Sequence, residues 1–193
     1  MAFERESLAQ FQTRLAQRLQ QASNAHSAAR WLAVRCGSIN YLLPLGQVGD
    51  VFSAPVPQVV PHTRLWFGGV INSRGKILGV IDFQAFVQEL QLLGEISPSP
   101  SSRSSQMEWL MVAFNPVLEF NCALRIDAVW GLKSLADFES SAQYLDTEQA
   151  VFKTRWVDDK AGIWQEVDLE ALAETDVFLN IGVKKEASAH ANA

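Results

Sequence analysis

The sequence predicts a mainly β protein built from two small barrels, with an amphipathic helix in front of them. Three observations lead to this prediction. Short apolar runs alternate with glycine and proline from residue 31 onward, which is typical of strands joined by turns. Residues 69–86 resemble residues 155–172 without a gap, which indicates a repeated unit. The first segment, about residues 2–29, carries apolar residues at helical spacing.

Length and composition allow a folded core and exclude some classes of function. The chain has 193 residues, of which 48% are hydrophobic and 19% charged, as in ordinary globular proteins. The formal net charge is −5 with only 16 Lys and Arg, so the basic surface that nucleic-acid binding usually needs is lacking. We see no signal-peptide pattern and no run of about 18 apolar residues. We therefore expect a cytoplasmic protein.

The N-terminal helix is predicted from one apolar face. Leu8, Phe11, Leu15, Leu19 and Ala22 recur at spacings of three and four, and no Gly or Pro interrupts them. We assign residues 1–30 to this helix. It either packs on its own domain or docks on a partner protein, as amphipathic helices at chain ends can.

The first half then predicts five strands and a short helix. The strands lie near 31–36, 39–43, 46–53, 66–72 and 77–82, and residues 83–93 change to a helical period. Residues 95–106 are rich in Ser and Pro, which favours an exposed connector; phosphorylation or docking there is the alternative.

The second half repeats this pattern over residues 107–173. Runs such as WLMVAF and CALRIDAVWGL are candidate strands, whereas residues 139–150 are typical of helical or irregular structure. Residues 168–175 predict a short helix, and the small polar residues from Lys184 onward predict a frayed end.

The repeat supports the two-barrel architecture. At an offset of 86 residues, Ile77 falls on Ile163 and Asp82 falls on Asp168. Each copy reads as strand, polar turn, strand, Asp and short amphipathic helix. Two such units suggest two barrels, each closed on itself so that no strand edge is exposed.

A search for chemistry finds no catalytic set. Asp82 and Asp168 each precede a predicted helix, so they are expected to cap it; a converging acid pair in an enzyme is the alternative. The three histidines and the two cysteines are scattered without metal-ligand spacing, so we predict no metal and no cofactor. Cys36 and Cys122 are expected to be buried reduced thiols, although a disulfide stays open.

A polar tip between two apolar strands is the candidate binding feature. Asn72, Ser73, Arg74 and Gly75 make up this turn. Its arginine either faces solvent or uses its rigid five-donor fork to hold a carboxylate or carbonyl of a partner.

These motifs resemble the CheW family over about residues 31–175. The main match is GVINSRGKILGVIDF, residues 69–83, preceded by YLLPLGQVGDV, residues 41–51, and the Pro-containing link PVPQVVPHTRLWFGGV. In the second half of the chain, LRIDAVWGL, residues 124–132, is similar to the CheW family's corresponding segment. The departures are Ser73 where Leu is common, Gly79 where Pro is common, and Phe83 in place of Leu. They bear on which partners are used.

The resemblance implies two five-stranded β-barrel lobes and an adaptor without catalysis. Lobe one would span about 31–94 and lobe two about 107–175, joined by the loop 95–106 and followed by a C-terminal tail over 176–193. The implied partners are the regulatory domain of a CheA-type histidine kinase and the cytoplasmic tip of a methyl-accepting receptor.

The resemblance also implies a partner-binding site in lobe one. Arg74 looks like the family's arginine at the receptor surface, with Asn72 and Gly75 shaping its turn. Val48, Asp50 and Val51 look like the strand that contributes partner contacts. The extra N-terminal helix and longer second half are similar to the PilI branch, which serves twitching motility through type IV pili. A nucleic-acid-binding barrel is the third and disfavoured alternative, because the chain is acidic.

Overall fold

The computed structural model of the chain describes residues 29–90, 108–143 and 151–182. The N-terminal helix predicted over residues 1–30 and the connector predicted over 95–106 lie outside these ranges, apart from Ala29 and Arg30. Those two residues belong to the first strand, and Ala29 pairs with Ser134 of a later strand.

Strands and short helices alternate along the described chain. The strands are β1 (Ala29–Cys36), β2 (Ile39–Pro44), β3 (Val48–Pro55), β4 (Phe67–Ser73), β5 (Lys76–Asp82), β6 (Glu108–Phe114), β7 (Cys122–Ile126), β8 (Ala128–Ser134), β9 (Phe138–Gln143), β10 (Phe152–Asp158) and β11 (Ile163–Val167). The helices are α1 (Phe83–Glu89), α2 (Leu169–Ala173) and α3 (Asp176–Leu179), with 3-10 turns at Pro116–Leu118 and Leu135–Asp137. The mainly β class and the short helices after β5 and β11 are confirmed.

The strands form two sheets. Sheet A has six strands in the order β8-β1-β2-β11-β10-β9, and sheet B has five in the order β3-β6-β7-β5-β4. The repeat appears as β4-β5-α1 in sheet B and β10-β11-α2 in sheet A. The offset of 86 residues thus relates two units of the same design.

The two halves of the chain exchange strands between the sheets. Hairpin β1-β2 of the first half carries β8 on one side and β11-β10 of the second half on the other. Hairpin β6-β7 of the second half likewise carries β3 and β5-β4 of the first half. The two central joins, β2 with β11 and β5 with β7, are parallel. Each sheet therefore draws on both halves of the chain.

The expected pair of closed five-stranded barrels needs correction. Among the described residues each sheet keeps two edge strands, β8 and β9 in sheet A and β3 and β4 in sheet B. The sixth strand of sheet A is β9, in a stretch whose sequence suggested helical or irregular structure. Its side chains are mostly exposed, so no apolar alternation marks it. The segment between β3 and β4 contains prolines, which lack the backbone N–H that continuous strand pairing needs. In this segment an isolated bridge joins Gln58 to Val70 of β4.

Alternating side chains divide the interior into three apolar clusters. The shared core lies between the sheets and includes Val34, Leu43, Ile81, Phe114 and Leu124. Inner core A, on the other face of sheet A, holds Trp31, Ala33, Leu42 and Trp164 with Phe138 and Trp156 against them. Inner core B, on the other face of sheet B, holds Leu78, Val80, Met111 and Ala123 with Phe52 and Trp109 among the residues against them. Both faces of each sheet are thus packed in part.

The last described segment closes the shared core. Phe178 of α3 is buried and contacts the rings of Trp66, Phe86 and Phe114. Gly182 then forms a bridge with Thr63 of the first half. Residues 176–182, which the sequence placed in the C-terminal tail, therefore contribute to the packed core.

Candidate functional site

The candidate site is built on the tight turn between β4 and β5. Ser73 pairs with Lys76, which leaves Arg74 and Gly75 as a two-residue loop. Their φ angles are 52° and 82°, both in the left-handed region, as a type I′ hairpin turn requires. The Asn72 side-chain oxygen accepts a hydrogen bond of 3.0 Å from the Gly75 N–H. Asn72 and Gly75 thus shape the turn that carries Arg74.

Arg74 occupies a backbone conformation that its own side chain does not favour. The first central position of a type I′ turn is usually Asn, Asp or Gly, because a Cβ is crowded there. A larger residue held in this conformation points to a role for its side chain, since the turn alone would be served better by Asn.

Arg74 reaches across to the neighbouring edge strand. Its Nη1 lies 2.6 Å from Oδ2 of Asp50 on β3, and the two side chains are 79% and 60% exposed. Exposed ion pairs contribute roughly 0–1 kcal/mol to stability. The pair is therefore accessible to another protein and has little importance for the fold.

The remaining predicted residues lie on β3 with different roles. Val51 is 43% exposed, on the strand that also carries Asp50. Val48 is half-buried against the shared core, so its side chain serves packing. The ladder between β3 and β6 shifts register between Val48 and Val51, and an added Cβ on Gly49 would meet the Phe114 carbonyl oxygen at 2.8 Å. This irregularity sets the position of Asp50 at the sheet edge.

A pocket that the sequence did not reveal opens beside the ion pair. Its volume is about 280 Å³, and it is lined by β3, the β4-β5 hairpin and the β6-β7 connection. Lys76 and Phe52 join Arg74 and Asp50 in its wall. The sequence signal for these lining residues is the period of two along a strand, which places Asp50 on the same face as Phe52, and Lys76 on the same face as Leu78. Pairing of β3 with β6 is a distant contact, so sequence spacing alone could not bring these groups together.

The two repeat-related carboxylates cap helices, as predicted. Asp82 accepts from the Ala85 N–H at 3.2 Å and from Arg125 Nη1 at 2.7 Å. Asp168 accepts from the Glu170 and Ala171 N–H groups at 3.0 and 3.2 Å.

Asp168 does not have the properties of an acid catalyst. Burial raises its pKa, but hydrogen bonds from Lys153, Gln47 and the Ala171 N–H outweigh burial and hold the pKa below its ordinary value. Asp82 and Asp168 also stand at the ends of strands in different sheets. An acid catalyst built on this pair would need a raised pKa, so the lowered pKa of Asp168 opposes that alternative.

The second repeat unit carries a different turn at the equivalent place. Asp158 corresponds to Asn72 at the 86-residue offset, and Lys160 corresponds to Arg74. Asp158 is buried and accepts from Trp164 Nε1 at 2.8 Å and from the Gly162 and Lys160 N–H groups at 2.7 and 3.0 Å. This turn is tied to inner core A through Trp164, whereas the Arg74 turn faces outward with its ion pair.

The cysteines offer no reactive thiolate. Both are free thiols, Cys36 buried and Cys122 partly so. Burial raises the pKa of Cys122 to about 11 and raises the pKa of Cys36 still further above its ordinary range. Within residues 29–90, 108–143 and 151–182, no three His, Cys, Asp or Glu side chains cluster as metal ligands would. The helices of those ranges are all too short or too polar to cross a bilayer.

Comparison with known proteins supplies the family and the relatives of this fold. A family model described as CheW-like domain matches residues 30–176. Protein PilI of Pseudomonas aeruginosa (strain PAO1) is 26% identical over 171 residues, which cover 88% of this chain and 89% of PilI. The crystal structure of the scaffolding protein TtCheW from Thermoanaerobacter tengcongensis is similar with a TM-score of 0.55 and 19% identity, covering 78% of this chain and 95% of that one. At that identity the structural likeness concerns the fold.

Proposed function

The chain belongs to the family of CheW-like domains, and on that basis we propose that it is an adaptor coupling a methyl-accepting receptor to a CheA-type histidine kinase. The family consists of scaffolds without catalysis, so binding is the activity to be explained. We place this adaptor in the cytoplasm, where the receptor tip and the kinase are accessible.

The observation that carries the proposal is the exposed turn bearing Arg74. Its guanidinium is held beside β3 by Asp50 at 2.6 Å, and the neighbouring Val51 adds exposed apolar surface. A guanidinium held in this way can exchange Asp50 for a carboxylate or carbonyl of a partner at little cost, because the internal pair is exposed. Asn72, Gly75, Asp50, Val51 and Arg74 thus form the proposed partner surface. Val48 supports it from within.

Binding to the two proposed partners is the direct test. The full chain would be titrated with the regulatory domain of a CheA-type kinase and, separately, with a receptor cytoplasmic tip, using calorimetry. We expect a complex with each. Absence of binding to both would remove the proposed function.

Arg74→Ala tests the proposed surface within that experiment. We expect the complex that depends on Arg74, proposed to be the receptor complex, to weaken by roughly 1–3 kcal/mol, as for an anchor at an interface. Thermal unfolding should stay unchanged, because the ion pair is exposed. Lys160→Ala is the matched control, since Lys160 holds the equivalent place in the other repeat unit. Unchanged receptor and kinase affinities in Arg74→Ala would take Arg74 out of the site.

The branch of the family is a finer proposal. We propose that the output is twitching motility through type IV pili, supported by the 26% identity to PilI over most of both chains. Genes for pilus-type regulators beside this gene would agree with that output. Flagellar chemotaxis genes in the same position would contradict it.

A further inference from the structure

The pocket beside Arg74 is the open end of inner core B. Side chains two residues apart along a strand share a face. Asp50 therefore lies on the face of Phe52, Lys76 on that of Leu78, and Ser73 on that of Ile71, and the second member of each pair packs in inner core B. The pocket of about 280 Å³ thus continues this core outward to the solvent.

The pocket has an apolar floor and a charged rim. Phe52, Leu78 and Phe120 supply rings and methyl groups, whereas Arg74, Lys76 and Asp50 supply two positive charges and one negative charge. The rim is therefore positive on a chain whose formal net charge is −5. An occupant that places an apolar group inside and a carboxylate at the rim would match both parts.

An exposed apolar side chain beside the pocket points to a protein as the occupant. Val117 follows the lining residue Pro116 and is 80% exposed. A partner surface seated on the pocket would cover this side chain together with the charged rim, as exposed apolar surface usually requires. The volume of about 280 Å³ is large enough to hold one large apolar side chain.

We propose that this pocket receives one large apolar side chain of a protein partner, with Arg74 and Lys76 binding a carboxylate beside it. The inference rests on the proposed adaptor function and names the chemistry that its surface recognises. Ser73 is the residue that leaves room, because it is small and lies in the pocket wall on the face of inner core B. Asp50 and the partner's carboxylate would then compete for the Arg74 guanidinium.

A small aromatic acid tests the pocket without any partner. The full chain, labelled with nitrogen-15, would be titrated with 3-phenylpropionate while its amide signals are followed. We expect weak saturable binding that shifts the signals of Ser73 and Ala113. The neutral 3-phenylpropanol should bind roughly tenfold less tightly, because hydrogen bonds to charged groups are worth about 1.5–3 kcal/mol. Shifts confined to other regions, or none, would overturn the pocket.

Filling the pocket tests its role in binding. Ser73→Leu adds a side chain into the space, and we expect it to weaken the partner complex that Arg74→Ala weakens by about tenfold or more, as for a blocked anchor pocket. Ser140→Leu, an equal change at an exposed position of β9, should bind as the unaltered chain does. Lys76→Gln removes one rim charge without filling the pocket, so it serves if Ser73→Leu unfolds. Full partner affinity in both Ser73→Leu and Lys76→Gln contradicts the inference.

These results separate the inference from the proposed function. If neither kinase nor receptor binds the unaltered chain, the adaptor function falls while the 3-phenylpropionate titration still decides whether the pocket binds an apolar acid. If both partners bind the unaltered chain and bind Ser73→Leu and Lys76→Gln with the same full affinity, the adaptor function stands and the pocket has no part in it.

Discussion

Asp158 stabilises the turn between β10 and β11 through its charge. The Trp164 N–H lowers the pKa of Asp158, burial raises it, and the Gly162 and Lys160 N–H groups lower it further, so the pKa lies below its ordinary value. A carboxyl with a lowered folded-state pKa stabilises the fold above the unfolded pKa of about 3.9 and loses that effect as pH falls through the folded value.

Asp158→Asn should therefore cost stability mainly near neutral pH. An amide can accept at only one of the two oxygen positions, so the variant leaves either the Trp164 Nε1–H or the Gly162 and Lys160 N–H groups facing an N–H group, and it lacks the charge. We expect the difference in free energy of unfolding between the unaltered chain and the variant to shrink as pH falls from about 4, where the unfolded carboxyl becomes protonated, through the lower pKa of the folded carboxyl. Urea unfolding at pH 7 and pH 3 measures this. Asp159→Asn, one residue away and exposed, is the control. A difference that does not change with pH would contradict the assignment.

Residue identity predicted part of the candidate site. Arg74 and its turn were found because Asn and Gly between two apolar runs favour a hairpin. The caps at Asp82 and Asp168 were found because Asp before a helical period accepts backbone N–H groups. The ion pair of Arg74 with Asp50 and the pocket beside it depend on residues 24 apart in the chain meeting in space. No local pattern carries that information.

At the scale of elements, Gln47 joins the β2-β3 turn to helix α2. Its Nε2 donates to Asp168 Oδ1 at 2.7 Å, and its Oε1 accepts from the Leu169 N–H at 2.8 Å. Helix α2 is only five residues long, so its first turn depends on such outside partners. In the first repeat unit, Arg125 donates to Asp82, the residue that caps helix α1.

Gln47→Ala should loosen this junction. The change leaves the Leu169 N–H without its side-chain acceptor and removes a donor from Asp168, so we expect a loss of about 1–3 kcal/mol. Chemical unfolding of the variant against Gln143→Ala, an exposed position on β9, gives the comparison. Equal stability of the two variants would show that water replaces Gln47 at no cost.

Most strand positions followed from the hydrophobic pattern, and strand β9 is an exception with an identifiable cause. The five predicted strands of the first half agree with β1–β5 within about two residues, because apolar runs bounded by breakers carry a local signal. Strand β9 was not predicted, since FESSAQ is polar and almost all exposed. It forms because β10 offers a free edge, a circumstance that lies outside its own sequence.

At the scale of the whole molecule, strand exchange makes each half dependent on the other. Half one supplies β1-β2 to sheet A and β3-β4-β5 to sheet B, and half two supplies the remainder of both. The shared core likewise takes Leu43 and Ile81 from the first half and Phe114 and Leu124 from the second. A stretch containing one complete repeat unit therefore lacks a complete sheet.

Fragments of the chain should fold only together. We expect residues 29–106 and 107–182, produced as separate chains, to be largely unfolded alone, because each would expose unpaired edges and half of the shared core. Mixed in equal amounts, they should recover the far-ultraviolet circular dichroism and cooperative unfolding of the full chain. Cooperative unfolding of either fragment by itself would contradict this dependence. The exchange itself could not be predicted, because the repeat at 86 residues suits two contiguous barrels equally well.

The three apolar clusters also give the protein a set of built-in optical reporters. Its six tryptophans are spread over different environments: Trp31, Trp156 and Trp164 in inner core A, Trp66 in the shared core, Trp109 at inner core B and Trp130 at the surface. The indoles of Trp31 and Trp156 lie 5.2 Å apart at 55°, close enough for their electronic transitions to couple. Single replacements by phenylalanine would therefore assign fluorescence and circular dichroism signals to one sheet, to the interface between sheets, or to solvent.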